Sequence, residues 1–258
     1  MGPREQALWD AQLRAEDLFC AVVANGLIRA GVSESELSDE VHGLARKMFG
    51  FKRHWHRRVV RSGPNTVLTY YDDSPDRRIE SDDIVFLDFG PVFEGWEADL
   101  GRSYVLGNDA RKHRLVADIQ SAFSRGQALY EADPHITAGM LYDHVAALAT
   151  QSGWKFGAAT AGHLVDAFPH KSNADAGRLL SIRSGNDVLL HEPFADGRPR
   201  HWILEIHFVD PDLKFGGFVE ELLTVRGPRP SQRRRHEDGD NGEGNHGAQQ
   251  PHAGAARP

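Results

Sequence analysis

Residues 84–104 read IVFLDFGPVFEGWEADLGRSY. IVFLDF is rich in β-branched and aromatic residues and predicts a strand over 84–89. WEADLGRSYVL predicts a second strand over 96–106. Glu94-Gly95 between them suits a two-residue hairpin turn, where glycine takes a positive φ without strain. That turn pairs Phe93 with Trp96 and, further along, Asp88 with Gly101. Side chains alternate faces along a strand, so Asp88 and Asp99 point the same way from diagonal positions. Two neighbouring carboxylates repel unless one is protonated or a cation lies between them. Asp88 also follows four apolar residues, and a buried carboxylate needs a partner. The pair is a candidate metal or acid–base site.

Outward from this hairpin the chain alternates helix and strand signals. Leu8, Leu13, Leu18, Val22 and Leu27 recur at roughly helical spacing and predict a helix over 5–30, stopped by Gly31. Ser33 caps a second helix over 34–49, closed by Gly50. Residues 58–71 read as extended around a Gly63-Pro64-Asn65 turn. Helices follow over 112–131 and 137–152, and HWILEIHFVD (201–210) and GFVEELLTV (217–225) read as a closing pair of strands. The domain therefore spans 1–226. Residues 227–258 contain no Leu, Ile, Val, Phe, Tyr or Trp. They cannot bury enough apolar surface to offset the entropy of ordering and are expected to form a disordered polar tail.

The chain has 258 residues, 40% hydrophobic and 26% charged, and a net charge of −7. Its acidic balance argues against general nucleic-acid binding, which leans on excess Lys and Arg. No apolar run approaches the roughly 20 residues of a membrane span. A single cysteine, Cys20, allows neither a disulfide framework nor a cysteine zinc site within one chain. A soluble, cytoplasmic protein is expected.

Three more stretches carry chemistry. ATAGHLVDAFPH (159–170) places His163 and His170 seven residues apart. In WILEIHFVD, alternation puts Trp202, Leu204, Ile206 and Phe208 on one face and His201, Ile203, Glu205, His207 and Val209 on the other. Glu205 thus sits within an apolar strand, where an ion pair or metal must balance its charge. In FVEELLTV, Glu220 and Glu221 point to opposite faces, and periodicity does not say which is inward. Carboxylates with one imidazole suit a pair of divalent ions such as Mn²⁺, Co²⁺, Fe²⁺ or Zn²⁺. Two such ions about 3.5–4 Å apart can share a nucleophilic water and polarise a carbonyl.

The order Asp88, Asp99, His163, Glu205, Glu220 resembles the metal ligands of the pita-bread metallopeptidases, which include methionine aminopeptidase, Xaa-Pro aminopeptidase and prolidase, with creatinase as a metal-free relative. The two aspartates share that family's eleven-residue spacing, and Gly162-His163 followed by His170 matches its metal and catalytic histidines. The resemblance selects Glu220 over Glu221. It covers about residues 10–226 and implies an α+β fold: a curved antiparallel sheet flanked by helices and built from two pseudo-symmetric halves. The chain is expected to be a short form without the family's extra N-terminal domain. The implied function is a dinuclear metal hydrolase, an Xaa-Pro type aminopeptidase or dipeptidase, acting on a short peptide or other small molecule, with a homodimer compatible. His170, Glu205 and His56 are the catalytic candidates, and His54, Thr69 and His207 the substrate-binding ones.

The chain also departs from the pattern. Lys171 stands where a glutamate is usual, Asp166 where glycine is common, and Ile206-His207 where proline is usual. Thr69 stands where peptidases carry a substrate-contacting histidine, while His54 and His56 lie upstream in KRHWHRR (52–58). That basic run is either a solvated face or the source of one arginine that pairs with a substrate carboxylate. The departures keep two rivals in view: a same-fold metal enzyme acting on a non-peptide amide or as a lyase, and a non-enzymatic binding module.

Overall fold

Three of the four described α-helices begin at a residue whose side chain caps the backbone. The computed structural model describes residues 1–50, 53–168 and 180–227. Helix α1 (Pro3–Ala24) opens with Pro3 in its first turn and ends at Asn25. It is shorter than the expected 5–30, because Gly26 takes a φ of 61° and turns the chain away. Helix α2 (Glu34–Phe49) is bounded by a capping box of Ser33 and Glu36 and by left-handed Gly50, as its sequence predicts. Strand β1 (Val59–Ser62) leads into a 3₁₀ turn over Gly63–Val67, at the place where the Gly63-Pro64-Asn65 turn was expected.

Strand β2 (Ile84–Phe89) follows, then a two-residue-per-strand hairpin, β3 (Val92–Phe93) and β4 (Trp96–Glu97), and then β5 (Leu100–Val105). The expected single strand over 96–106 is broken after Glu97. Gly90-Pro91 ends β2, proline offering no ladder donor, and the tip forms a small separate sheet. Glu94 (φ 54°) and Gly95 (φ 86°) form the turn. Phe93 pairs with Trp96 and Asp88 with Gly101, the register the turn predicts.

Helices α3 (Ala110–Ala132) and α4 (Ala138–Gln151) are capped by Asp109 and Thr137. Strands β6 (Lys155–Phe156), β7 (Ile203–Val209) and β8 (Gly216–Leu222) complete a six-stranded antiparallel sheet of order β1-β2-β5-β8-β7-β6. The order is mirrored about its centre: two helices and three strands on one side answer two helices and three strands on the other. This is the curved, two-halved sheet of the pita-bread fold.

All four helices cover one face. Leu204, Ile206 and Phe208 of β7 pack with Leu115 and Ile119 of α3 and Leu141 and Val145 of α4. Val85, Leu87 and Phe89 of β2 pack with Leu18 and Val22 of α1 and Leu37 and Val41 of α2. Each fully buried side chain of this kind contributes about 1.5–3 kcal/mol. Alternation then sends Asp88, Glu205 and Glu220 to the opposite face. Met1–Gly227 form one compact unit; the expected polar tail, beyond Gly227, lies outside the described residues. No described helix is long and apolar enough to cross a membrane.

Candidate metal centre

Four strands bring the carboxylates into one row. Asp88 of β2 faces Gly101 of β5, Gly101 faces Glu220 of β8, and Glu220 faces Glu205 of β7. Directly paired residues share a face, so the row is a consequence of register. Gly101 leaves its middle open: a Cβ there would overlap the Phe218 ring and press on Cβ of Glu220. Asp99 sits one pleat before Gly101 and reaches the same spot.

His163 arrives from a different element. After β6 the chain runs along the free edge of β7, with Glu205 N–H donating to the Ala161 carbonyl (3.0 Å) and Ile203 N–H to that of His163 (2.8 Å). Gly162 makes this approach possible. Its φ is 137°, and a Cβ would overlap the Ile203 carbonyl oxygen. Nδ1 of His163 lies 2.8 Å from the Leu164 carbonyl, which directs Nε2 at the carboxylates. Nε2 is 3.2 Å from Asp99 Oδ2, 3.4 Å from Glu205 Oε1 and 3.7 Å from Glu220 Oε1. The five expected ligands thus converge. Glu221 points the other way and pairs with Arg102 at 2.9 Å.

His56 joins them from the loop before β1. Its Nε2 is 3.1 Å from Asp99 Oδ1 and 3.6 Å from Asp88 Oδ1. The other histidine of that loop does not join them. His54 lies 3.4 Å from His42 and packs edge-on against Phe89, on the helix-covered side of β2. Burial, with the nearby charges of His42 and Arg58, pushes its pKa down to about 3, so the ring is neutral. Thr69 is turned into a local loop, its N–H and hydroxyl both donating to Asp72 (2.7 and 2.8 Å). His207 shares the carboxylate face but is buried one pleat away. Its Nε2–H donates to the Thr66 carbonyl (2.9 Å), with Phe86 and Phe218 about its ring. Thr69 and His207 are thus engaged by other groups, and His54 stays close enough to His56 to feel its charge. His170 and Lys171 lie outside the described residues.

Burial and mutual charge shift the six ionisable groups of the site. Burial, opposed by His56, pushes Asp88 up to about 7. Burial and the charges of Asp99, Glu205 and Asp88 push Glu220 well above the usual carboxylate range. Glu205 is raised by burial and by Asp99. Burial opposes the low value of Asp99, about 2, but His56 and His163 outweigh it. Burial likewise opposes protonation of His56, yet Asp99 and Asp88 lift it to about 9. His163 is raised well above its ordinary value against the same burial cost, through Asp99 and Glu220. Asp88 Oδ1 is buried and accepts no hydrogen bond from the described residues. Three buried carboxyls, the half-buried Glu205 and two imidazoles are a donor set that suits a cation. Two sets of three donors lie close enough to share an ion: His56, Asp88, Asp99 and Asp99, His163, Glu220.

Aromatic groups wall the centre. The Trp55 ring meets His163 edge-on (5.4 Å) and the Tyr70 ring meets His56 (5.8 Å). Sequence reading passed over both, since neither lies in a periodic segment. Of the basic run, Arg58 pairs with Asp39 (2.9 Å) and Arg61 donates to Ser74 and the Asp72 carbonyl. Arg57 lies over the Tyr70 ring (4.7 Å), which itself meets His56. Asp166, in place of glycine, binds Arg4 of α1 at 2.8 Å.

Fold and site together define a pita-bread protein with a carboxylate-rich candidate metal centre. The family model "Metallopeptidase family M24" matches residues 6–193, and the chain belongs to that family. It is 21% identical over 178 residues to the Xaa-Pro dipeptidase of Lactobacillus helveticus, covering 69% of this chain and 46% of that protein. An uncharacterised Bacillus subtilis peptidase, YqhT, is 29% identical over 194 residues, 72% of this chain and 52% of that protein. The chain thus spans about half the length of the curated relatives it matches. Among solved structures, the Xaa-Pro dipeptidase of Bacillus anthracis superposes with a TM-score of 0.69 at 21% identity, over 89% of this chain and 62% of that one. Methionine aminopeptidase from Rickettsia prowazekii superposes with a TM-score of 0.63 at 16% identity, over 83% and 90%.

Proposed function

We propose that this chain is a metal-dependent amide hydrolase holding two divalent ions, with Xaa-Pro dipeptides or the amino-terminal Xaa-Pro bond of short peptides as substrates. The convergence of Asp99, Glu205 and Glu220 on Nε2 of His163, with Asp88 and Asp99 meeting at Nε2 of His56, carries this reading. Asp88, Asp99, His163, Glu205 and Glu220 are the ligands, and Mn²⁺, Co²⁺, Fe²⁺ or Zn²⁺ suits them. When bound, a pair of such ions supplies an activated water and polarises the scissile carbonyl. Glu205, the most solvent-exposed carboxylate of the row, accepts the proton that the water gives up. His170 donates a hydrogen bond to the oxygen on which charge develops. Trp55 and Tyr70 exclude water and hold the substrate's apolar part, and Arg57 is placed to meet a free carboxylate. The chemistry is that of a cytoplasmic peptidase rather than of a nucleic-acid or membrane partner.

A second reading, a same-fold enzyme for a non-peptide amide, draws on Thr69, whose hydroxyl is held by Asp72 where a substrate-contacting histidine is otherwise expected. A panel of Xaa-Pro dipeptides beside non-prolyl dipeptides and simple amides separates the two. The proposal expects metal-stimulated, EDTA-sensitive release of proline. Cleavage of the amides alone favours the second reading, and no hydrolysis by the metal-loaded chain overturns both.

A further inference from the structure

Asp99 stands between two histidines that are built alike. Its Oδ2 faces Nε2 of His163 at 3.2 Å and its Oδ1 faces Nε2 of His56 at 3.1 Å. Each ring has its Nδ1 against the carbonyl of the next residue, Leu164 at 2.8 Å and Arg57 at 2.6 Å. An Nδ1–H donated to a carbonyl fixes the tautomer in which Nε2 carries the free lone pair, the arrangement metal-binding histidines adopt.

The position of His56 is enforced by the backbone. Trp55 N–H donates to the Gly90 carbonyl (2.8 Å) and Val92 N–H to that of Arg53 (3.1 Å), so residues 53–55 lie along 90–92. The bend at Trp55 and His56 then swings the imidazole over Asp88. Gly90 provides the seat: a Cβ there would overlap the His56 ring and crowd the indole nitrogen of Trp55. The His56 side chain packs against Asp88, whose Oδ1 accepts no hydrogen bond from the described residues.

We infer that His56 is a sixth metal ligand, completing with Asp88 and Asp99 a second position that holds imidazole as well as carboxylate. This rests on the proposed two-ion centre and replaces the expectation that His56 is catalytic. Each position would then have its own histidine, with Asp99 able to offer one oxygen to each. An imidazole makes the second position softer than a carboxylate-only one, favouring Co²⁺ and Zn²⁺ over Mn²⁺.

The test is calorimetric titration of the EDTA-stripped, dialysed full chain with Co²⁺ and, separately, Mn²⁺, alongside the visible spectrum of the Co²⁺ form. Wild type is expected to bind two Co²⁺ equivalents. His56→Gln should retain one and weaken the other by on the order of 100-fold or more, at least what loss of an outer-shell partner costs. Its Co²⁺ band should change, and the Co²⁺-over-Mn²⁺ preference should shrink at that equivalent alone. Gly90→Ala, which alters no ligand but pushes the ring aside, should weaken the same equivalent. Two wild-type equivalents that His56→Gln and Gly90→Ala both keep at unchanged affinity overturn the ligand assignment and leave the two-ion centre standing. A wild-type chain that binds neither ion overturns the centre itself.

Discussion

Replacing Asp88 by asparagine should stabilise the metal-free protein while weakening its hold on metal. The carboxyl rises from 3.8 in the unfolded chain to about 7 in the fold, chiefly by burial. About three pKa units at 1.36 kcal/mol each make roughly 4 kcal/mol of destabilisation at about pH 8. An asparagine also gives up the attraction of protonated His56, so roughly half of that is recoverable. At about 2–4 °C per kcal/mol, the thermal midpoint should rise by about 4–8 °C.

The sign follows from linkage. A carboxyl with a raised folded pKa binds more protons in the fold, so its contribution falls as pH rises from about 4 to 7. His56, raised from 6.5 to about 9, contributes fully below 6.5 and loses that contribution as pH climbs through 9. Asp99, lowered to about 2, contributes above 3.8 and is lost only in acid below it. The metal-free wild type should therefore lose stability steadily from about pH 4 to 9, and Asp88→Asn should reduce the first part of that decline, to which Glu205 and Glu220 also contribute. Circular-dichroism melts in EDTA at about pH 5, 7 and 9 measure it. A variant that melts at or below wild type near pH 8 would refute the charge-crowded site.

Other outcomes follow from the same geometry. Gly162→Ala forces a Cβ into the Ile203 carbonyl at a φ of 137°, so denaturant titration should show a loss of several kcal/mol or no folded protein. His170→Ala should lower turnover by about 10²–10³ while leaving metal content and binding near normal, read by steady-state kinetics beside metal analysis. Removing residues 229–258, which carry no large apolar side chain, should shift the melting midpoint by no more than a degree or two.

Much of this was legible in the chain because a two-residue turn fixes register. Once Glu94-Gly95 closes the hairpin, Asp88 and Asp99 must share a face. The alternation of WILEIHFVD puts Glu205 opposite the core in the same way. The choice of Glu220 over Glu221 was not legible from periodicity: both strand faces are buried, and only the pairing with Glu205 and Gly101 decides it. Nor could His54 and His56 be told apart. They have the same parity in a short basic run, and a bend after a pair of backbone bonds to Gly90 and Pro91–Val92 sends one to the metal centre and the other to His42. Local pattern reports faces of regular elements, whereas Trp55, His56 and Tyr70 belong to loops whose course is set by distant partners.

The account stands most directly on the metal content of the full chain. After saturation with Mn²⁺ or Co²⁺ and removal of excess ion, elemental analysis should find two ions per wild-type chain. Asp99→Ala, which removes the carboxylate lying between the two histidines and leaves the apolar strands in place, should hold clearly fewer while remaining folded. Equal metal in wild type and a folded Asp99→Ala variant would contradict the assignment of this cluster as a two-ion centre.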